Sequence, residues 1–309
     1  MGSIIQKIKK AIKYPLAASV ILLGYEKAAF IPDEIYLRMM FRYFTGRKLN
    51  IKNPQTYNEK LQWIKLYDRK PIYTIMVDKV KAREFVENRI GNNYLIPLLG
   101  IWESPDQIDF SSLPNQFVLK CNHNSGKGMC ICKDKSKLDI ERTKKKLNEG
   151  LSENYFYLGR EWPYKNVPRR ILGEKYMEDE SGEGLNDYKV MCFDGEPKLI
   201  ELHMGRFTDH QSQDFYDIHW NKLSISQNMV SQYKVSKTIS PPPPALEEMV
   251  KLSKILAADT MHLRVDWYSV NGRLYFGELT FFDGSGFDPY DKYEDDLMLG
   301  SWITLPNSK

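Results

Sequence analysis

The chain has 309 residues, and its 42% hydrophobic content is that of a globular protein with a sizeable core. Its formal net charge is only +4, which argues against a nucleic-acid-binding protein with a concentrated basic face. The four cysteines follow no regular framework, so a reducing compartment is favoured over a secreted disulfide scaffold.

The N-terminus combines a basic amphipathic stretch, residues 4–13, with an apolar run, residues 14–24. The run is shorter than the about 20 apolar residues that cross a bilayer, and no small-residue cleavage site follows it. Three interpretations stay open: a helix packed on the rest of the protein, a helix lying on an anionic membrane surface, and a signal peptide. We expect a cytoplasmic protein, with residues 1–24 as the candidate for contact with the inner face of the membrane.

Cap residues predict several helices. The predicted caps are Thr56 with Glu59, Asp78, and Ser136 with Asp139, the last helix closing at Gly150. A further helix follows the four prolines at residues 241–244, because apolar residues recur there at helical spacing after two glutamates.

Short apolar runs predict strands in the rest of the chain. They occupy residues 116–120, 129–132, 188–193, 197–204, 263–270 and 273–282. Helices come first and mixed strands and helices follow, so the sequence indicates an α+β protein.

The stretch QFVLKCNHNSGKGMCIC predicts a strand, a polar turn and a second strand. Lys120 ends the first strand, and the turn contains Ser125 and Gly126. Glycines let backbone N–H groups approach an anion, and a lysine adds a point charge, so the pair suits a nucleotide's phosphates. The stretch is not a Walker loop, because the turn leads into a strand and not a helix.

The same stretch has a competing interpretation as a zinc site formed by Cys121, His123, Cys130 and Cys132. The spacings C-x-H and C-x-C are tighter than those of the usual zinc motifs. Alternation along a strand also points Cys130 and Cys132 to one buried face, where cysteine acts as a small hydrophobe.

The stretch RVDWYSVNGRLYFGELTFFDGSG predicts a β-hairpin with Asn271-Gly272 at the turn. In that hairpin Asp266 and Glu278 come close together, and Thr280 shares the face of Glu278. Such an oxygen-rich face suits Mg²⁺, which takes one or two carboxylates together with phosphate oxygens and water. Arg264 shares the face of Asp266 and could neutralise a transferred phosphoryl group. The alternative is a set of Arg–carboxylate ion pairs on an exposed sheet.

The order of these motifs resembles the ATP-grasp superfamily. The resemblance rests on DKVKAREF from Asp78, Ile96-Pro97, FVLK ending at Lys120, the Ser/Gly turn, EKYMED, NDYKVMCFDGEPKLI, RVD and ELT. Three longer stretches, NPQTYNEKLQWIKLYD, NSGKGMCICKDKSKLDI and YFGELTFFDGSGF, are similar to the TupA-like branch, which is associated with teichuronopeptide and other cell-surface polysaccharide biosynthesis. The likeness runs from about Ile31 to the C-terminus.

The resemblance implies an α+β ATP-grasp fold, in which two α+β subdomains hold ATP between antiparallel sheets. It implies a helical N-terminal region at residues 1–70 and a catalytic domain at residues 71–309. Within that domain, residues 115–175 would form a lid subdomain and residues 176–309 a metal-binding subdomain.

The resemblance also implies roles for nucleotide-binding residues. Lys79 and Lys120 match lysines that reach the phosphates, and Ser125 and Gly126 match the flexible loop that closes over them. The remaining matches are the adenine-holding hinge Glu174, Lys175, Tyr176 and Met177, and the ribose-contacting Asp187. Arg206 and Lys222 are further candidates for phosphate contacts.

At the reacting end, Arg264 and Lys120 match catalytic residues near the transferred phosphoryl group. Asp266 and Glu278 match the metal-binding carboxylates. Thr280 stands where an asparagine normally completes the metal set, which puts the number of Mg²⁺ ions in doubt.

The implied activity is that of an ATP-dependent carboxylate–amine ligase that uses ATP and Mg²⁺ and forms an amide through an acylphosphate. The implied partners are an amine or amino acid and a uronic acid, saccharide or lipid-linked saccharide acceptor. Two alternatives stay open: a phosphotransferase acting on a sugar or small acid, and a nucleotide- or saccharide-binding module without catalysis.

Overall fold

The computed structural model describes residues 10–179, 185–205, 211–227 and 234–306. The helices are Pro15–Leu23 (α1), Asp33–Thr45 (α2), Tyr57–Tyr67 (α3), Ile72–Val77 (α4), Lys81–Ile90 (α5), Ile140–Ser152 (α6), Phe156–Gly159 (α7), Leu246–Ala257 (α8) and Tyr293–Ser301 (α9). The strands are Leu98–Trp102 (β1), Phe117–Cys121 (β2), Cys130–Cys132 (β3), Ile171–Lys175 (β4), Asp187–Phe193 (β5), Glu196–Met204 (β6), Ser212–Asp217 (β7), Lys222–Leu223 (β8), His262–Val270 (β9) and Arg273–Thr280 (β10).

These strands form two sheets within the described ranges. The small sheet has the order β1-β4-β2-β3, and the large sheet has the order β10-β9-β5-β6-β7-β8. Every pair of neighbouring strands is antiparallel. The predicted α+β class is therefore confirmed, and each of the six predicted strands lies in one of the two sheets.

Each sheet packs its apolar side chains against helices. Under the large sheet, Trp267 of β9 belongs to a core that also contains Leu61 of α3 and Leu256 of α8. Under the small sheet, Phe117 of β2 packs with Leu147 of α6. Burying a large apolar side chain stabilises a fold by roughly 1.5–3 kcal/mol, so these helices fix the two sheets as separate packed layers.

The predicted capping box at the start of α3 is confirmed. The Thr56 side chain accepts the Glu59 N–H, and the Glu59 side chain accepts the Thr56 N–H. The predicted cap at Asp78 is wrong, because α5 begins after Val80. The Asp78 carboxylate instead accepts the Val80 N–H at 2.9 Å and the Asn122 side-chain N–H at 2.7 Å, which ties the start of α5 to the end of β2.

The start and the end predicted for α6 are also wrong in detail. Ser136 lies in a short 3₁₀ turn, and the cap of α6 is Asp139, whose side chain accepts the Arg142 N–H at 2.9 Å. The helix passes Gly150 and ends at Ser152. At Gly150 the helix backbone packs directly on the β2–β3 turn. A larger residue at this position would not leave room for the turn.

At the N-terminus, α1 packs through one side and leaves the other exposed. Ala17 and Val20 are buried with residues of α2, whereas Leu16, Leu22 and Leu23 are exposed. Residues 1–9, which contain most of the basic stretch, lie outside the described residues. Along the described ranges, no helix has both the length and the apolar character needed to span a membrane.

Candidate functional site

A cavity of about 1270 Å³ lies between the two sheets. It is lined by twelve of the predicted site residues: Lys79, Lys120, Ser125, Gly126, Glu174, Lys175, Tyr176, Met177, Asp187, Arg264, Asp266 and Glu278. Thr280 is not part of the lining, but its hydroxyl lies 3.4 Å from the Arg264 guanidinium. Residues predicted from separate motifs thus meet at one place.

The small sheet contributes a cationic side of the cavity, which we call the lysine wall. Its lysines are Lys120, Lys127, Lys133 and Lys175. Lys120 Nζ lies 2.7 Å from one carboxylate oxygen of Glu174, and Arg83 lies 3.0 Å from the other. Glu174 therefore holds Lys120 at the cavity and remains paired with Arg83 if Lys120 is drawn to another anion.

The turn between β2 and β3 has two glycines with left-handed backbone. Gly126 has φ 82° and Gly128 has φ 78°. A Cβ on Gly126 would meet no atom within 4 Å, whereas a Cβ on Gly128 would lie 2.8 Å from Gly150 Cα. The base of the turn is therefore packed against α6, and its tip is open. Lys79 closes the side of the turn, since its Nζ donates to the Asn124 carbonyl at 2.8 Å.

The lysine wall also has an apolar part. Val118, Met129 and Ile131 line the cavity beside the segment formed by Lys175, Tyr176 and Met177. The Lys175 N–H donates to the Pro97 carbonyl at 3.0 Å, which fixes the start of that segment. Apolar side chains beside a fixed extended backbone fit a planar heterocycle such as adenine.

The large sheet contributes an acidic side, which we call the carboxylate wall. Its members are Asp187, Glu201, Asp266, Glu278, Asp283 and Asp288. Direct cross-strand pairs align four charged residues over four strands, in the order Glu278 (β10), Asp266 (β9), Lys189 (β5) and Glu201 (β6). Directly paired residues point to one face of a sheet, so this row faces the cavity.

The pairing of Glu278 with Asp266 depends on a β-bulge. The register between β9 and β10 shifts between Phe276 and Glu278, where Gly277 is the extra residue. In a regular ladder Gly277 would pair with Asp266, and Glu278 would pair with Val265 and point to the other face from Asp266. A Cβ on Gly277 would lie 3.1 Å from the Asp266 carbonyl oxygen, so a glycine suits this close approach.

Arg264 lies at the centre of the carboxylate wall. Its guanidinium contacts both oxygens of Asp266, at 2.7 Å and 2.8 Å, and donates to Asp283. It also lies 3.6 Å from Glu278. The predicted alternative of ion pairs on an exposed sheet is wrong in one respect, because Arg264 and Asp266 are buried.

Lysines complete the charge balance of this wall. Lys189 Nζ lies 3.1 Å from Asp187 and 2.9 Å from Asp266, and Lys79 Nζ lies 3.0 Å from Glu278. Burial disfavours the charge on Glu278, but Lys79 and Arg264 outweigh it and hold the pKa of this carboxyl well below its usual value. Burial and Arg264 likewise oppose the charge on Lys189, but its acidic neighbours hold its pKa above the usual value.

The carboxylate wall has the donors that Mg²⁺ prefers. Asp266 and Glu278 offer carboxylate oxygens on neighbouring strands, and Mg²⁺ takes one or two carboxylates together with phosphate oxygens and water. Within the part of the chain that the structure describes, no three His, Cys, Asp or Glu side chains are arranged to hold a metal alone. The two carboxylates fit an ion that is shared with a phosphate, because Mg²⁺ fills its remaining positions with phosphate oxygens and water.

Asp187 is placed differently from the other predicted nucleotide residues. It is buried at the start of β5, and its carboxylate lies against Lys189. This contact links it to Asp266 through one ammonium group. Its predicted contact with ribose stays a prediction.

Sequence reasoning missed four charged residues of this wall: Lys189, Glu201, Asp283 and Asp288. Lys189 and Glu201 each interrupt an apolar strand, which is the same signal that identified Asp266. Asp283 begins a loop in which Gly284, Ser285 and Gly286 all have left-handed backbone.

Two buried charged residues, Lys65 and Glu161, hold the loop after β10 through contacts with Ser285. Lys65 of α3 donates to the Ser285 carbonyl at 2.6 Å, and Ser285 donates its hydroxyl to Glu161. Burial lowers the pKa of Lys65 to about 7, although Glu161 opposes this shift. The loop that presents Asp283 to Arg264 is thus fixed by side chains from two other parts of the chain.

The four residues of the zinc alternative are dispersed into separate contacts. His123 contacts the Glu153 carbonyl at 3.0 Å, and Cys121 contacts the Leu147 carbonyl at 3.8 Å. Cys132 is buried and Cys130 partly buried in the same core under the small sheet, while Ile131 between them is exposed, so the prediction that both cysteines face one buried side of the strand is confirmed. Of the two further phosphate candidates, Lys222 pairs with Asp214 at 2.8 Å, and Arg206 lies outside the described residues.

Comparisons with known proteins give one family. A family model described as TupA-like ATP-grasp matches residues 59–304. A search of curated proteins finds no match.

Several solved structures are similar to the chain at low identity. The D-alanine–D-alanine ligase from Bacillus anthracis complexed with ATP is 15% identical, with a TM-score of 0.40 over 67% of this chain and 54% of that one. The L-amino acid ligase from Bacillus licheniformis is 12% identical, with a TM-score of 0.45 over 84% of this chain and 57% of that one. The chain thus spans a little over half the length of these two ligases.

Proposed function

The chain belongs to the TupA-like family of ATP-grasp ligases, and from that premise we propose that it joins a carboxylate to an amine at the expense of ATP. The observation that carries this proposal is the cavity in which the lysine wall faces the carboxylate wall. Buried charges are costly unless they are paired, and dense clusters of them are typical of functional sites. A cavity with lysines on one side and carboxylates on the other suits a metal-bound triphosphate.

The lysine wall would bind the nucleotide. Lys120 and Lys79 would contact the phosphates, and the segment from Lys175 to Met177 would hold adenine beside the apolar part of the wall. The β2–β3 turn, with Ser125 and Gly126 at its open tip, would cover the phosphates and exclude water. We assign residues 115–175 to this lid and residues 176–309 to the metal-binding part.

The carboxylate wall would act at the reacting end. Asp266 and Glu278 would hold Mg²⁺, and the Thr280 hydroxyl would lie beside them through its contact with Arg264. Arg264 would neutralise charge on the transferred phosphoryl group. ATP would supply the phosphoryl group that activates the carboxylate as an acylphosphate, with ADP as the leaving group, and Mg²⁺ would neutralise phosphate charge; attack by the amine would then form the amide and release inorganic phosphate.

We propose a uronic acid, free or within a lipid-linked saccharide, as the carboxylate, and an amino acid or another primary amine as its partner. This proposal rests on the likeness of three stretches of sequence to the TupA-like branch. It places the reaction in cell-surface polysaccharide biosynthesis, on the cytoplasmic side.

ADP release with MgATP and a panel of uronic acids and amines tests the ligase proposal. We expect ADP release to require one acid and one amine together, with an amide product detected by mass spectrometry. A stable phosphorylated product formed without an amine would instead indicate a phosphotransferase. Binding of ATP without ADP release for any pair would support a binding module and contradict the ligase.

We further propose that the exposed side of α1 contacts an anionic membrane surface. Leu16 and Leu22 of α1 and Ile12 just before it are exposed, and Lys10 and Lys13 are close in sequence. Exposed apolar side chains beside lysines favour binding to anionic lipids. The full chain should sediment with vesicles that contain phosphatidylserine, and a Leu16→Ser/Leu22→Ser variant should not. An Ile75→Ser variant, altered at an exposed isoleucine of α4, is the control, and equal sedimentation of all three would contradict the proposal.

A further inference from the structure

Glu201 is a charged residue of the cavity that the proposed ATP and Mg²⁺ contacts do not use. It lies on β6, and its side chain is only 4% exposed. Its Oε1 atom accepts the Gln213 side-chain N–H at 2.7 Å and contacts the His203 ring. Its Oε2 atom has no hydrogen-bond partner among the residues that the structure describes. A buried carboxylate oxygen without a hydrogen-bond donor is costly. We therefore expect a ligand that donates a hydrogen bond to it.

The surroundings of Glu201 favour a ligand with positive charge. Burial opposes the charge on Glu201, but His203, Lys189 and Arg264 outweigh it and lower the pKa of the carboxyl to about 2. The group is therefore ionised at neutral pH. Asp283 and Asp288 line the cavity as well, and a cationic donor forms stronger hydrogen bonds to carboxylates than a neutral one.

The position of Glu201 in the charged row suits the second substrate of the reaction. Lys189 is paired across the sheet with Glu201 on one side and with Asp266 on the other. Glu201 is thus two strand spacings, or about 10 Å, from the proposed metal ligand. Reacting atoms must approach to about 3–3.5 Å, so this distance leaves room for one phosphoryl group and one carboxyl carbon between the metal and an amine at Glu201.

We infer that Glu201 binds the ammonium group of the amine substrate, a primary ammonium compound such as an amino acid or an amino sugar. Gln213 and His203 are positioning residues, because they hold the Oε1 atom and leave Oε2 directed to the ligand. The inference deepens the proposed ligase function and rests on it.

Equilibrium binding of two small probes to the full chain tests this inference. Ethanolamine carries an ammonium group at pH 7, and ethylene glycol is its neutral counterpart. Ligand-observed NMR should give a dissociation constant for ethanolamine that is at least about tenfold lower than that for ethylene glycol, as expected for a charge-assisted hydrogen bond.

The preference should depend on the charge of Glu201. Glu201→Gln keeps the shape of the side chain and should reduce the tenfold preference to less than twofold. Glu196→Gln is the matched control, since Glu196 lies on the same strand but is half exposed and pairs with Lys254 at 2.7 Å. This control should keep the preference. A Glu201→Gln variant that retains the full preference, or a wild type without one, would overturn the inference.

A second measurement in the wild type keeps the test valid if Glu201→Gln does not fold. Ethanolamine should shift the imidazole resonances of His203, which contacts Glu201, and leave those of His219 unchanged. Unchanged His203 resonances at saturating ethanolamine would overturn the inference.

The two proposals fail in different ways. If ethanolamine binds at Glu201 but no amine supports ADP release, the ligase function is contradicted and the ammonium site is not. If ADP release requires an amine and Glu201→Gln leaves the KM for that amine unchanged, the ammonium site is contradicted and the ligase is not.

Discussion

The lysine wall and the carboxylate wall hold their charges in different ways. In the lysine wall, charges reach solvent: the Lys127 side chain is 50% exposed, and Lys120 has Glu174 as its single ion-pair partner among the described residues. In the carboxylate wall, the central charges are buried in a connected network: the Asp266 side chain is 4% exposed with both Arg264 and Lys189 against it, whereas Glu278 and Asp288 at its edge are more exposed. One wall can exchange its partners for a ligand, whereas the other is already arranged before a ligand arrives.

This difference indicates which step of the reaction each wall controls. Charge interactions are stronger away from water, and groups fixed before the reaction need no reorganisation during it. We therefore expect the carboxylate wall to determine turnover and the lysine wall to determine nucleotide affinity. Two substitutions test this division directly, and two stability measurements, with smaller effects, test the packing behind each wall.

Asp266→Asn should have the largest effect. It removes a proposed metal ligand and leaves Arg264 and Lys189 without their shared partner, so ADP release should fall by about 100- to 1000-fold. Initial rates with a supporting acid and amine measure this. Asp106→Asn, at an exposed carboxylate that pairs with Lys144, should leave the rate unchanged. A rate within threefold of wild type for Asp266→Asn would contradict the expectation that the carboxylate wall determines turnover.

Lys120→Ala should weaken ATP binding by about 10- to 100-fold, because it removes one charge-assisted hydrogen bond to a phosphate. The melting temperature should change little, since Arg83 still pairs with Glu174 at 3.0 Å. Calorimetric titration with ATP measures the affinity. An unchanged dissociation constant would remove Lys120 from the nucleotide site.

Gly128→Ala should destabilise the fold by about 2 kcal/mol, because a Cβ there would clash with Gly150 Cα at 2.8 Å and the backbone is left-handed. Gly126→Ala, at the open tip of the same turn, should cost only about 1 kcal/mol for its backbone conformation. Urea denaturation gives both values. Equal losses would mean that the base of the turn is not packed as described.

The smallest effect concerns a histidine beneath the carboxylate wall. His262 of β9 is buried between the Tyr57 hydroxyl and the Cys192 carbonyl, each at 2.9 Å. Burial lowers the pKa of His262 to about 3 from its ordinary 6.5. Between these two pH values the unfolded chain binds a proton that the folded chain does not, so stability falls as pH decreases below 6.5.

Denaturation at pH 6.5 and pH 5.5 tests this effect. The wild type should lose about 1 kcal/mol more than a His262→Gln variant over that unit of pH, because half of the unfolded chains already carry this proton at pH 6.5. Other groups titrate in the same range, and the comparison of the two proteins removes their contribution. Parallel losses would show that His262 is protonated in the folded chain.

The strand–turn–strand part of the lysine wall is confirmed as predicted, because its signals are local. The turn after Lys120 is set by short-range glycine chemistry, and the strands on both sides are continuous apolar runs. The capping box at Thr56 is equally local, and it is confirmed. Where two cap residues compete within a few positions, as at Ser136 and Asp139, local rules do not decide between them.

The carboxylate wall depends on pairings that local patterns do not fix. The Asn271-Gly272 turn places Asp266 near Glu278, but the bulge at Gly277 brings them to one face. The register of β5 against β9 joins Lys189 to Asp266 across 77 residues of chain, and no short-range rule sets that register. Glu201 was missed for the same reason.

In the proposed function, ATP and Mg²⁺ bind together between the two walls. It is tested most directly by the affinity for ATP with and without Mg²⁺, in the wild type and in an Asp266→Asn/Glu278→Gln variant. We predict that Mg²⁺ strengthens ATP binding by at least about tenfold in the wild type and leaves it unchanged in the variant. The same strengthening by Mg²⁺ in both proteins would contradict the account.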